Sequence, residues 1–301
     1  MKIGNRAKIL SKILQRHKHN HDTFLVHARM KVMTHRPATP SDYLRQSANL
    51  ITAPAMWVLS SIGFFTEGAR TANEFSDMSD NLLVPLGPAF SIWFPIFVGC
   101  IAYAVLQALP KNRTRDVFRA VGWWTAAGFA CVCGWALITA YAPTNLVQWG
   151  TALIFIPAVT ALIVATKIFT ERTNEVSAIE RILSCVPISL IAGWCSLAIF
   201  LNWTPIAYDA FAHGTASVTS SLLILAAALG LIIGVCRWSL CNRVYVFPAI
   251  WGLAWLAGRH LVAGPEVPII GWVAIGGIIL LIASALTKPR VPITGYDAET
   301  A

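Results

Sequence analysis

Charge is scarce in this sequence. Only 12% of its 301 residues are Asp, Glu, Lys or Arg, against 56% hydrophobic, and the mean hydropathy is +0.62. That balance excludes an ordinary soluble domain and describes a polytopic membrane protein. The apolar stretches are too long for barrel strands and lack their alternation, so an all-helical fold is expected. Near the middle of these stretches there is no Asp, Glu, Lys, Arg or His. Ion- and proton-coupled transporters place ionisable groups at that depth, and the Gly/Pro-broken helix pairs of inverted-repeat transporters are also missing. No Ser/His/Asp, zinc-protease or phosphate-loop pattern can be assembled. An enzyme, a nucleic-acid partner and a metal or other cofactor are therefore not expected. The cysteines offer no disulfide framework. There are seven, Cys100, Cys131, Cys133, Cys185, Cys195, Cys236 and Cys241, nearly all in or beside apolar segments, where they read as small hydrophobes. Cys131-x-Cys133 puts its two side chains on different helix faces, which is poor zinc geometry.

The charge that is present is concentrated. Residues 1–45 hold ten Lys and Arg against Asp22 and Asp42, so this stretch is expected to be a basic cytoplasmic tail, dispensable for folding. Residues 1–20 read equally as a disordered tail and as a basic amphipathic helix, with Ile3, Ala7, Leu10 and Leu14 at helical spacing, able to lie on an anionic leaflet. Met30 and Met33 offer alternative starts. His17-x-His19-x-His21 reads as a solvated polar run rather than a metal site, since no carboxylate or Cys partner is near.

Apolar segments follow at about 47–66, 87–109, 118–140, 147–169, 182–202, 216–236, 244–263 and 267–286. Each is near the ~20 residues needed to cross a bilayer. Lys and Arg in the short loops set the orientation. Lys111, Arg113 and Arg115, then Lys167, Arg172 and Arg181, then Arg237 and Arg243, suit the inside; the acidic loop after the first segment suits the outside. Eight transmembrane helices with both termini cytoplasmic satisfy every loop except the one near Arg259. The external loop 67–86 is the longest connection and runs directly into Pro88–Trp93.

Aromatic residues fill the space that charge leaves. Of twelve Trp, those near span ends fit the aromatic belt at lipid headgroups, whereas Trp93, Trp135 and Trp194 are placed mid-bundle. Leu86-Gly87-Pro88-Ala89-Phe90-Ser91-Ile92-Trp93-Phe94-Pro95 opens the second segment, which ends in Gln107-Ala108-Leu109-Pro110. Pro187, Trp194 and Asn202 punctuate the fifth. These motifs resemble the signatures of the TspO/MBR family, the translocator or tryptophan-rich sensory proteins, and the Phe90-Ser91-Ile92-Trp93 form is closer to the longer bacterial branch.

The resemblance implies a five-helix bundle over 46–203, three additional transmembrane helices over 204–287 and a cytoplasmic tail at 288–301. It also implies a pocket for a hydrophobic small molecule, a tetrapyrrole or sterol-like lipid, between helices and under the first loop, with Trp93, Pro95, Trp135, Trp194 and Asn202 as ligand-binding residues. The partners implied are that ligand, membrane lipids and a second copy in a homodimer. The sequence departs from the family pattern at three positions. Phe97, Val132 and Ile191 stand where the family carries Tyr, Asn and Tyr, so polar handles are replaced by apolar bulk.

Overall fold

The computed structural model describes residues 37–287, except Ser79, Cys241, Pro265 and Glu266, with backbone only at Asn145. The expectations for segment 1–20, the His17–His21 run, Met30 and Met33, and the tail 288–301 lie outside the described residues. The bundle belongs to the second of the two units into which the chain divides, Ser41–Ala301.

The described chain is helical throughout its regular structure. Eight helices are long: α1 (Pro40–Ser60), α3 (Trp93–Ala108), α4 (Asp116–Tyr141), α5 (Thr144–Glu171), α7 (Cys185–Ala212), α8 (Val218–Trp238), α9 (Arg243–Leu261) and α10 (Pro268–Leu286). Two are short, α2 (Ala72–Asp77) and α6 (Ala178–Leu183). Six stretches are long and apolar enough to cross a membrane: Gly87–Ala108, Asp116–Tyr141, Leu146–Glu171, Ala178–Ala212, Val218–Trp238 and Pro268–Leu286. The chain is thus an all-α, multi-pass membrane protein. α1 and α9 are long but too polar to meet that standard, because α1 buries Asp42, Arg45, Gln46 and Asn49 and α9 carries Arg243, Arg259 and His260.

α7 is the central helix, in contact with α3, α5, α8 and α9. Its approach to α9 is close enough to require glycine: a Cβ on Gly193 would lie 2.0 Å from the Tyr245 carbonyl oxygen. It also runs ten residues beyond the expected end at Asn202, to Ala212. The apolar run stops at Asn202, but Trp203 and Phe211 continue a lipid-compatible surface while Thr204, Ile206 and Tyr208 turn inward.

α1 begins at Pro40, inside the stretch expected to be a dispensable tail. One face of its first turns, Asp42, Arg45, Gln46 and Asn49, is buried, with Arg45 only 1% exposed. Arg45 donates to the carbonyls of Phe118 at 2.6 Å and Arg113 at 2.8 Å and pairs with Asp42 at 3.4 Å. Asp42 in turn takes both donors of Arg119, at 2.9 and 2.6 Å. Further along, Gln46 donates to the Gln107 carbonyl at 2.7 Å and Asn49 to the Gly122 carbonyl at 2.8 Å. Low apolar content did not keep this segment out of the bundle, because its polar groups found backbone carbonyls and a countercharge. A Cβ on Gly122 would sit 2.6 Å from Arg45 Cδ, so the glycine makes room for the arginine.

Breaking a buried charge pair by removing one partner costs about 3–5 kcal/mol. Arg45→Met is expected to destabilise the purified protein by about that amount in a denaturant titration, whereas a loss below about 1 kcal/mol would show that α1 is held by apolar contacts alone.

Candidate functional site: a roofed aromatic cavity

The site begins with a proline. Pro205 lies inside α7 and has no N–H to donate to the Leu201 carbonyl one turn back. A buried orphan carbonyl is costly, and here Asn81 of the loop supplies the donor through Nδ2 at 3.0 Å. Asn81 Oδ1 accepts from the Leu83 N–H at 2.9 Å, which turns the loop at this point.

The loop is fastened at several more places. The Leu82 N–H donates to the Tyr208 hydroxyl at 3.3 Å. Arg259 donates to the carbonyls of Asn81 at 3.0 Å and Val84 at 2.9 Å. His260 Nε2 donates to the Leu82 carbonyl at 2.8 Å, and the Trp251 indole donates to the Ala89 carbonyl at 2.8 Å. At the other end of the loop, Arg70 donates to the carbonyls of Thr139 and Ala142. Those carbonyls end α4 and have no helical donor of their own. Between the two fastenings, α2 starts with a capping box of Thr71 and Glu74. The Thr71 N–H and hydroxyl hold the exposed Glu74 carboxyl below its ordinary pKa.

Under this roof lies a cavity of about 60 Å³. Its walls are Phe90 and Trp93 from the entry to α3, Trp135 from α4, Gln148 and Phe155 from α5, and Trp194, Ala198 and Asn202 from α7. Its roof includes Phe75, Ser76, Met78, Asn81 and Val84. Trp93 is the centre of the aromatic set. It stacks on Phe97 with centroids 5.1 Å apart and on Trp135 at 6.3 Å, and meets Trp194 edge-on at 6.1 Å. Trp135 and Phe155 are also edge-on, at 5.6 Å. The Trp135 indole N–H donates to Asn202 Oδ1 at 3.2 Å, and Asn202 Nδ2 donates to the Ala198 carbonyl at 2.8 Å.

Four of the five residues expected at the site, Trp93, Trp135, Trp194 and Asn202, line one cavity. Pro95 does not. It is exposed on the outer surface of α3, because two residues at about 100° each carry it to the far side of the helix from Trp93. Phe97, Val132 and Ile191 are buried, and Phe97 stacks beneath Trp93. Phe90 stands in the motif that opens the second segment but is not among the residues expected at the site; Phe155 and Gln148 are not among them either, and nothing in the local pattern of those two sets them apart from their neighbours. Arg259 did leave a signal, as the basic residue on the side of the bundle where basic residues are otherwise avoided.

No ionisable side chain lines the cavity, and among the described residues no cluster of three His, Cys, Asp or Glu could hold a metal. The arrangement offers aromatic faces for stacking and a few hydrogen-bonding groups, Ser76, Asn81, Gln148 and Asn202, at its edge.

A model of the family described as TSPO-like protein matches residues 46–287. The chain belongs to that family. No curated protein and no solved structure matches it. The TSPO-like match runs through α8, α9 and α10.

Asn202→Leu leaves the Trp135 indole N–H without an acceptor. An unsatisfied buried donor costs about 1–3 kcal/mol, and a corresponding loss of stability is expected in a denaturant titration. An effect of only a few tenths would mean that the indole is satisfied without Asn202.

Proposed function

We propose that this TSPO-like protein binds a hydrophobic small molecule in the roofed aromatic cavity, as a membrane sensor or carrier. The observation that carries the reading is the convergence of Trp93, Trp135 and Trp194, from three helices, on one cavity with no charged lining. Such a site recognises shape and apolar area rather than charge. The proposed role is binding, not catalysis, because no group at the cavity can transfer a proton at neutral pH. The ligand classes implied by the resemblance are tetrapyrroles and sterol-like lipids. At about 60 Å³ the closed cavity is well below the ~300–1,000 Å³ of ordinary ligand sites, so a broad ligand requires the roof and side chains to move. We propose further that the protein lies in a bacterial plasma membrane, from its resemblance to the longer bacterial branch, with both chain ends cytoplasmic, from the distribution of Lys and Arg, and that its basic N-terminal stretch meets anionic lipid.

A second reading, in which the protein is a structural or partner-binding element without a ligand, is favoured by one observation. The rings of Trp93, Phe97 and Trp135 pack on each other, as a core does.

The two readings separate on titration of the purified protein with protoporphyrin, haem and a sterol, followed by tryptophan fluorescence. Losing one large aromatic contact should cost about 1–3 kcal/mol, or about ten- to a hundredfold in affinity. Trp93→Ala and Trp194→Ala are expected to lose that much relative to Trp272→Ala, whose side chain is 63% exposed on α10. Equal affinities for all three variants would leave the tryptophans as packing.

A further inference from the structure

Three apolar spaces follow one another across the central helix. The aromatic cavity is the innermost. A second, of about 20 Å³, lies between α7, α8 and α9 and shares Trp194, Ala198 and Leu201 with the first. The third is an open groove of about 530 Å³ between α7 and α8, which shares Phe200 with the second. Small residues, Ala207, Ala210 and Ala227, hollow the groove, and its rim is exposed, Leu223 by 68% and Phe211 by 82%. Both helices are among the membrane-crossing stretches. The groove therefore lies on the outer face of two helices apolar enough to cross a membrane, where hydrocarbon is its natural surrounding.

We propose that these spaces form a lateral passage by which a single flexible hydrocarbon chain, the acyl tail of a membrane lipid or free fatty acid, reaches the aromatic cavity, with Phe200 as its gate. The proposal rests on the reading that the aromatic cavity binds a ligand, and it names the class. The width argues for a chain. Spaces of about 20 and 60 Å³ are far too small for a fused ring system, whereas a single chain, one methylene wide, needs the least side-chain movement to follow them. The lining argues for tail-first entry. A charged headgroup would lose its hydration in a passage with no partner for it, whereas a tail leaves the head at the bilayer surface.

The alternative is an aqueous route. A polar vestibule of about 340 Å³, lined by Ser76, Asp77, Asp80, Asn81 and Arg259, lies against the roof and shares Ser76, Asn81 and Val84 with the cavity. Passage there has to break the Asn81–Leu201 bond and the Arg259 bonds to Asn81 and Val84. Each of these bonds satisfies a backbone carbonyl, and the Leu201 carbonyl would otherwise be left without a donor. The lateral route breaks none of these bonds and asks for side-chain rearrangement at the half-buried Phe200 and Leu201 and at the buried Trp194, which with Ala198 and Leu201 separates the two inner spaces.

The test is photolabelling of the full chain in phosphatidylcholine vesicles containing palmitic acid with a diazirine at its tail end, with adducts mapped by peptide mass spectrometry. In the wild type, adducts are expected both on the groove (199–211 and 223–231) and on the inner segments around Trp135 and Leu253. Phe200→Trp should keep the groove adducts, which also report a folded protein, and cut the inner adducts at least fivefold. Ala198→Phe, a block further in, should keep labelling near Leu253 and lose it at Trp135. Inner adducts that persist at the wild-type level in both variants, or that form without groove adducts, overturn the lateral passage and leave the cavity reading intact. Groove adducts with no inner adducts in the wild type overturn the passage and also count against a ligand in the cavity.

Discussion

A carbonyl that its own helix cannot satisfy organises the functional end of this protein. Pro205 removes the donor for Leu201, and Asn81 replaces it from a loop more than a hundred residues earlier. In an apolar surrounding an open carbonyl is expensive, so the helix and the loop are stable together. Once Asn81 is fixed, the carbonyls of Asn81, Leu82 and Val84 face α9, and Arg259 and His260 take them. The roof over the aromatic cavity is thus held by acceptors on α7, the Leu201 carbonyl and the Tyr208 hydroxyl, and by donors on α9, Arg259 and His260.

The opposite end of the bundle uses the same economy with different residues. There Arg45 takes the Phe118 and Arg113 carbonyls, and Asp42 balances two arginines. Between these polar ends most of the interior is apolar, and α9 lies close against α7 at Gly193. The residues that make α9 too polar to read as a free-standing span include Arg259 and His260, whose bonds hold the roof.

Much of the bundle was legible because bilayer thickness imposes length and lipid imposes composition. Eight apolar segments became eight long helices, and the Pro/Trp/Asn spacing brought Trp93, Trp135, Trp194 and Asn202 together. What remained hidden depended on distant partners. The burial of Asp42 and Arg45 is decided by carbonyls near residues 113–118, and nothing in the local sequence of α1 announces them. Pro95 was misplaced because a motif read along the chain ignores that two residues reverse the face of a helix. Phe90 and Phe155 join the cavity through the tilt and rotation of α3 and α5, which hydropathy does not encode. Arg259 was visible as an exception to the charge rule, but its reason, the carbonyls of the roof, lies more than 170 residues away.

The central claim, that donors on α9 hold the roof over the aromatic cavity, is open to direct measurement. Hydrogen–deuterium exchange should be followed on peptides spanning 72–89 in the wild type and in Arg259→Gln, both in the same vesicles. Local opening sets the exchange rate of such a segment. Loss of two carbonyl contacts is predicted to speed exchange across 81–89 at least about tenfold, the equivalent of about 1.4 kcal/mol, while peptides from α4 and α5 keep their wild-type rates. Unchanged exchange at 81–89, or an equal rise throughout the bundle, would contradict the account.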